Sequence, residues 1–542
     1  MTYRGKDIWS ADITKDMVKE SLSEKKTDVW TYPNLPKNMY QSFRKSADRL
    51  PDKTAVTDDL GHAYSYKDLG EKVRDFSSWL YTEFGVRRGK HIALMLYNSV
   101  EFCVAFLSLN RIGAVVIPLP TKFRCDEVCS LLDKSDVDMI ITDVGFHDYF
   151  LTYRENGIPV CEVPDGAEGY ALERFTSEET EGVLAEETAA AASDLALLMF
   201  TSGTTSRSKG VMIRNYNIMH AIVSYQRTLG ISENDRAIIP VPIYLITGLV
   251  AVFGLMMCVG GTVYLNKFFD GKRVLADIQR YDITFLHASP TVFTMLLKEK
   301  EGFPSLPSLR MFACGSSNMP PGKIRMLHEW LPDCEFRTIY GLTETTSPGT
   351  VFPVDANKSP YIGSSGIPIP GLEFKITDEN GKELEADMRG AVLVRGTNIT
   401  EAYYKMETDA IQDGWLDTGD IGYFNKEGYL YIVDRKKDMI NRGGEKICSF
   451  DVENELSNME GIADAAVVGI PDDVYGEVPV AVIKLKPGVS VTEEEIRAGL
   501  KKRMASYKVP KKMKLVDKIP VTANLKTDKK KIRELFEKES KV

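Results

Sequence analysis

Two features of the sequence predict an α/β fold with a second, smaller unit behind it. Short apolar strand segments alternate with helical segments through the first half, the pattern of parallel strands whose faces are covered by helices. A strand then ends in a run of charges at Asp434–Lys437, and about a hundred residues of mixed α+β pattern follow. The length of 542 residues agrees, since at roughly 150 residues per domain it allows three or four structural units.

In order along the chain, His91–Tyr97 (HIALMLY) reads as a strand, Glu101–Ile112 as a helix, Ala114–Pro118 (AVVIP) and Asp138–Thr142 (DMIIT) as strands. The acidic, Ala-rich stretch Glu178–Ser193 reads as a surface connection. Beyond it come a strand (LALLMF), a loop dense in Gly, Ser and Thr, and a second strand (GVMI). Ala237–Asn266 carries no charge, and its run Leu249–Val263 approaches the length of a membrane span. Pro240, Pro242 and four glycines interrupt it, so a buried helix feeding the strand GTVYL is expected instead. After Gly363 the pattern turns strand-rich, with turns at DENGKE and NKEGYLYIV. In the last unit a helix begins at Ser449, strands follow at AAVVGI and VAVIKL, and Thr492 with Glu495 forms a capping box. Ile496, Leu500 and Met504 then line one face.

Composition narrows the function classes. An apolar fraction of 43% with 27% charged residues excludes wholesale disorder, and a chain this long buries enough surface to need no staples. The eight cysteines form no CxxC, and Cys125–Cys129 has no partner pair for zinc, so free thiols in a reducing compartment are expected. The first sixteen residues hold no signal-peptide core, which makes a cytoplasmic location the expectation. The net charge is −9, yet residues 501–542 contain 15 basic and 5 acidic residues. Only Tyr507 and Phe536 interleave there, too few for a base-stacking platform, so nucleic acid is not expected as a partner. A segment that approaches phosphates on a small ligand fits equally well.

Thr201–Gly210 (TSGTTSRSKG) lies between two strands. Small residues let successive backbone N–H groups turn toward an anion, and Lys209 adds a positive charge. The spacing is not that of a Walker A loop, and a strand follows it where that motif needs a helix. Three more segments accompany it: YGLTETT at Tyr340–Thr346, WLDTGDIGY at Trp415–Tyr423 and DRKKDMINRGGEK at Asp434–Lys446. PVTANLKTDKK at Pro520–Lys530 closes the series.

In this order and at these separations the segments resemble the adenylate-forming superfamily of acyl-CoA synthetases, nonribosomal adenylation domains and luciferases, most nearly a stand-alone acid–CoA ligase. The resemblance runs from about Tyr40 to the end. It implies a large N-terminal domain (1–434) of two doubly wound α/β subdomains plus a distorted β-barrel, and a mobile α+β C-terminal domain (435–542). The hinge would be at 434–437, with Lys437 at the pivot. The implied chemistry joins a carboxylic acid to the α-phosphate of ATP, expels pyrophosphate, and passes the acyl group to the thiol of coenzyme A.

Each residue role follows from that resemblance. Thr201, Ser202, Gly203, Thr204 and Thr205 would wrap the phosphates, with Lys209 beside them. Glu344 would hold Mg²⁺ and Thr343 would donate to the α-phosphate. Tyr340 would stack on adenine, next to Gly341, above the small-residue turn Gly315, Ser316 and Ser317. Asp420 would accept both ribose hydroxyls, with Ile432 and Arg435 close by, since a carboxylate offers two acceptors to a vicinal diol. Lys526 would bridge the attacking carboxylate and the α-phosphate. Other lysines of the tail, such as Lys529, are read as solvated. Three departures stand out: Ser206 in the phosphate loop, Leu525 where the family has Gly, and Lys529 or Lys530 for its trailing Arg.

The acid pocket is expected along Val241–Leu249. Leu245 stands where many relatives have His, and Asp235 lies outside the pocket, so a simple, largely apolar acid is expected. Tyr244, Leu245, Thr247, Phe312 and Cys314 are candidate lining residues, and each reads equally well as core. Gly443, Gly444 and Lys446 would flank the CoA path. No carrier domain is fused, which favours CoA over a separate carrier protein as acceptor. A non-catalytic nucleotide binder is the alternative of a different class. Oligomeric state, monomer or homodimer, is left open.

Overall fold

The computed structural model describes residues 1–22, 28–164, 170–173, 190–201, 208–522 and 526–537. Among the described residues three large sheets and one two-stranded ribbon, Val18–Ser21 with Asp28–Thr31, build the large unit, and one sheet builds the small unit. In the first sheet His91–Met95, Val115–Pro118, Met139–Asp143 and Val160–Val163 are parallel neighbours, and Leu195–Phe200 joins beside Val115–Pro118. Leu195–Phe200 and Gly210–Arg214 then pair antiparallel at the sheet's edge, on either side of the segment expected to wrap phosphates.

The second sheet has nine strands. Its parallel centre runs Glu335–Tyr340, Met311–Cys314, Phe285–Ala288, Arg236–Ile239, Thr262–Leu265, Thr54–Thr57. The uncharged stretch contains a π-helix, Thr247–Gly254, buried from Gly248 onward and continued by Leu255–Val259, and it feeds the strand Thr262–Leu265 as expected. No helix among the described residues is long and apolar enough to cross a membrane.

The strand-rich region forms an antiparallel six-stranded sheet, Leu372–Thr377, Gly390–Gly396, Trp415–Phe424 and Leu430–Arg435 among its members. Its outermost strand is Thr2–Arg4, paired with Leu372–Thr377. Nothing in the local pattern of TYR foretold that pairing, which joins residues some 370 apart in sequence. Trp9 anchors the same segment by donating to the Pro368 carbonyl.

The small unit begins after Arg435. Ile462–Asp472 and Gly476–Leu485 form its long hairpin, flanked by Ile440–Arg442, Glu445–Ile447 and Lys512–Leu515. Its helices Ser449–Ser457, Glu493–Lys501 and Lys529–Glu537 enclose two cores of its own, around Val452–Ile496–Leu500 and around Val480–Ile532–Phe536. The Thr492–Glu495 capping box opens the middle helix as read from the sequence. Ion pairs dock this unit on the large one: Lys323–Asp464 at 3.0 Å and Arg389–Asp451 at 3.3 Å. All eight cysteines are free.

Candidate active site

Strand ends supply the site. Glu335–Tyr340 runs into a 3₁₀ turn, Thr343–Thr345, and the chain then reverses through Thr346 (φ 52°) and Ser347 (φ 89°). Two non-glycine residues in the left-handed region need outside support. Asn398 provides it: its side-chain amide donates to the carbonyls of Thr345 and Pro348, both at 2.7 Å, and its backbone carbonyl accepts from Thr346 Oγ1. Gly341 is obligatory, because a Cβ there would fall 1.5 Å from the Ser347 carbonyl oxygen.

This turn presents Glu344. Its Oε1 accepts from the Tyr403 hydroxyl at 3.0 Å, and its backbone carbonyl accepts from the Thr400 amide. Tyr403 is buried, and the Lys209 ammonium lies 4.5 Å from its ring centre. Tyr403 therefore lies between Lys209, at the end of the Gly/Ser/Thr loop, and the Glu344 carboxylate. The neck of that loop is closed by Thr201 N–H donating to the Lys209 carbonyl. Ser202, Gly203, Thr204, Thr205 and Ser206 lie outside the described residues.

Asp420 and Arg435 are direct register partners on antiparallel strands. Asp420 is 2% exposed; its Oδ1 meets Arg435 Nε at 3.1 Å and its Oδ2 accepts from the Tyr340 hydroxyl at 2.7 Å. Burial raises its carboxyl pKa, against the pull of Arg435 and Tyr340. Tyr340 thus binds the carboxylate through its hydroxyl, a contact its expected stacking role did not include. Ile432 is half-buried on the same strand, opposite Gly422.

Lys526 reaches this place from the small unit. A Val521–Thr527 bridge and the Thr522 N–H to Lys526 carbonyl bond at 2.7 Å close the loop that carries it. Its pKa falls to about 8, first through burial, then through Arg435, with Asp420 and Glu344 pulling it back up and Lys437 pushing it down. The Lys526 ammonium thus feels the charges of Asp420, Arg435 and Glu344 together. Leu525 lies outside the described residues.

Elsewhere the expected residues separate. Gly315 and Ser316 form a sharp turn, Ser316 at φ 71°. Ser316 and Ser317 are exposed. Asn98 pins the segment expected to line the acid pocket, donating to the carbonyls of Val241 and Asn266 and accepting from Ile243 N–H. Tyr244 is buried, while Leu245 and Thr247 are half-buried at the start of the π-helix. Phe312 and Cys314 do not join them. Strand alternation turns both to the opposite face from Gly315, where Phe312 packs edge-on against Phe293 of the helix Pro290–Leu296. Their core reading is the one the packing supports.

Asp235 is structural, bonded to Arg310 at 2.8 and 2.9 Å and to Thr284. Gly443 (φ 59°) and Gly444 (φ 94°) form the exposed two-residue turn between Ile440–Arg442 and Glu445–Ile447, so hairpin geometry alone requires both. Lys446 is exposed and paired with Glu379. Lys437 is exposed on the 3₁₀ turn Lys436–Asp438.

Lys529 is not solvated, contrary to the expectation for the tail. At 17% exposure it donates to Ser449 Oγ at 2.9 Å and faces Asp438 at 3.5 Å and Asp434 at 4.0 Å. Asp434 is fully buried, and its Oδ2 accepts from the Ser449 amide at the start of a small-unit helix. The sequence carried no local signal for this cluster, nor for Tyr403, Asn398 or His287. His287 is a lone buried imidazole at the end of the strand Phe285–Ala288, its pKa lowered to about 3 by burial.

The chain is similar to known proteins over most of its length. The AMP-binding enzyme family model matches residues 43–404, and the AMP-binding enzyme C-terminal domain matches residues 451–526. A 2-succinylbenzoate–CoA ligase of Bacillus licheniformis is 32% identical over 494 residues, covering 89% of this chain and 97% of its own. A 3-[(3aS,4S,7aS)-7a-methyl-1,5-dioxo-octahydro-1H-inden-4-yl]propanoyl:CoA ligase of Rhodococcus jostii is 30% identical, covering 92% and 99%. Among solved structures, an o-succinylbenzoate CoA synthetase from Bacillus subtilis bound to its acyl-adenylate superposes with a TM-score of 0.79 at 28% identity, covering 91% and 97%. ATP-bound MatB from Rhodopseudomonas palustris gives 0.82 at 27% identity, covering 92% and 99%.

Proposed function

The chain belongs to the AMP-binding enzyme family, and from that premise we propose that it is an ATP-dependent acid–CoA ligase. The observation that carries the reading is the buried Asp420 held by Arg435 and the Tyr340 hydroxyl, a site whose charges also act on Lys526 of the small unit.

In the first half-reaction a carboxylate oxygen attacks the α-phosphorus, a P–O bond forms, and the bond to pyrophosphate breaks. Both reactants are anions, so the barrier is one of charge and alignment. Asp420 and Arg435 orient the ribose, the hydrogen bond from Tyr340 fixes that carboxylate's direction, and Lys526 neutralises the charge gathering between carboxylate and phosphate. Glu344 fits Mg²⁺: it holds one hydroxyl donor, pairs with no cation among the described residues, and a hard ion takes one such carboxylate with phosphate oxygens. When bound, the ion offsets phosphate charge.

In the second half-reaction the thiol sulfur of CoA attacks the acyl carbonyl, AMP leaves with the bonding pair, and the thiol proton is released. Lys526 then has no role, and its loop must move away. We assign that motion to rotation of the small unit about Lys437, with the joint at 434–437. Gly443, Gly444 and Lys446 lie on the hairpin that such a rotation would swing toward the acyl group. The acids named for the two bacterial relatives carry oxygen functions beyond the activated carboxylate, which argues against a plain hydrocarbon acid here.

Exchange of labelled pyrophosphate into ATP, measured across a panel of acids and followed by CoA consumption, tests the reading. Acid-dependent exchange and acid-dependent loss of free thiol are expected. Nucleotide binding without acid-dependent exchange would reduce the protein to a binder. Exchange without CoA consumption would favour a carrier protein as acceptor.

A further inference from the structure

Two histidines are fully buried in the large unit, and they differ in one respect. His220 satisfies both ring nitrogens, Nδ1 with Thr31 Oγ1 at 3.2 Å and Nε2 with the Pro370 carbonyl at 2.8 Å. His287 Nδ1 is buried with no hydrogen-bond partner among the described residues. A buried polar group left unpaired costs about 1–3 kcal/mol, so an orphan of this kind asks for a reason.

Its position supplies one. Strands Arg236–Ile239, Phe285–Ala288, Met311–Cys314 and Glu335–Tyr340 are parallel and end on one edge. In open α/β sheets ligands occupy the crevice outside those carboxyl ends. His287 is the penultimate residue of its strand and shares a face with Ala313 and Gly315. A Cβ on Gly315 would lie 3.3 Å from His287 Nε2, so the imidazole abuts the head of the Gly315–Ser317 turn. Its ring meets Tyr225 edge-on at 5.9 Å, and the Tyr225 hydroxyl bonds Ser347, behind the turn that carries Thr343 and Glu344. The π-helix that opens with Thr247 packs against the same strand, with the buried Tyr244 just before it.

Resting on the ligase reading above, we propose that His287 determines specificity in the acid subsite, and that the acid carries an uncharged oxygen function, a ketone or hydroxyl, which hydrogen-bonds the imidazole. A neutral imidazole offers one donor and one acceptor but no charge. A second carboxylate would therefore enter a dry site without a counter-ion. Arg337, on the same face two strands away, is engaged by Glu335 and the Phe352 carbonyl.

The test measures kcat/KM in acid-dependent pyrophosphate exchange for acids of matched chain length: plain, keto, hydroxy and dicarboxylic. Wild type, His287→Leu and His287→Gln are compared, with KM for ATP and thermal midpoint as controls on folding. The expected result is a preference of about tenfold or more for the keto or hydroxy acid in wild type, on the scale of one buried hydrogen bond. It should collapse toward unity in His287→Leu through the acid's KM, and return in part in His287→Gln, which keeps a donor and an acceptor even if the leucine variant is unstable. Equal ratios in all three proteins, with exchange proceeding, overturn the inference and leave the ligase reading standing. A preference for the dicarboxylate overturns the assignment of an uncharged group. No exchange with any acid removes both readings together.

Discussion

Asp420 and Asp434 sit on neighbouring antiparallel strands, and both are almost fully buried. Their surroundings differ. Asp420 is contacted by a half-exposed guanidinium and a phenol, both belonging to the large unit, and it faces the ammonium of Lys526. Asp434 is taken up by the small unit: the Ser449 amide donates to it, Lys529 stands beside it, and Asp438 with Arg533 completes the cluster. Burial raises the pKa of both carboxyls, so burial alone does not tell them apart. The source of the partners does. A carboxylate served by flexible side chains can exchange them for a ligand, whereas one bonded to a helix's first amide holds two units together.

The largest expected effect lies on the Asp420 side. Lys526→Ala should lower the pyrophosphate-exchange rate by roughly 10²–10³, the scale for one preorganised charge-stabilising donor. Thioester formation from pre-made acyl-AMP should be nearly unchanged, and an equal loss in both half-reactions would remove Lys526 from the adenylation step. Lys529, with its buried partners, is no neutral control; Lys531, 64% exposed and paired with nearby Asp528, serves instead.

Next come the two aspartates themselves. Asp420→Asn should weaken ATP binding by about 10- to 100-fold, as the loss of charged hydrogen bonds does, while unfolding stability stays within about 1 kcal/mol. Asp434→Ala should do the reverse. It leaves the Ser449 amide unpaired and lowers stability in urea by about 2 kcal/mol, with ATP affinity in the large unit little altered. Matching losses of affinity and stability in both variants would erase the distinction.

The joint can also be stressed without touching either carboxylate. Lys437→Pro fixes φ near −65° at the proposed pivot. Exchange should stay within about tenfold of wild type while thioester formation falls further, as expected when only the rotation is hindered. Normal thioester turnover would place the pivot elsewhere.

A pH profile of wild type reports on the same lysine. The ammonium form of Lys526 is the one required, and its folded-state pKa is depressed to about 8. Below that value the group is charged; as pH rises through it, kcat/KM for exchange should fall, approaching tenfold per pH unit. A flat profile from pH 7 to 9.5 would contradict the assignment.

The smallest effect concerns Tyr403→Phe, which removes one hydrogen bond to Glu344 and keeps the ring under Lys209. The magnesium concentration for half-maximal exchange should rise about two- to tenfold, with stability nearly unchanged.

Local signals were enough for a good part of this protein. The strand–helix alternation from His91 to Thr142, the capping box at Thr492, the buried uncharged helix and the small C-terminal unit could all be read from neighbouring residues, because hydrophobic period and caps act over a few positions. The motif segments at Tyr340, Asp420 and Lys526 were legible too, since each carries its chemistry within a short stretch. Only the tertiary structure decided which face of Met311–Cys314 a side chain meets, for alternation gives parity but not which helix covers which side. The partners of Asp434 and Lys529, the support of Asn398 for a strained turn, the hydroxyl of Tyr403 on Glu344 and the unpaired ring of His287 likewise join residues distant in sequence. Such contacts leave no periodic trace, because what selects them is the free energy of burying a polar group with or without a partner, and that is set when the chain has closed on itself.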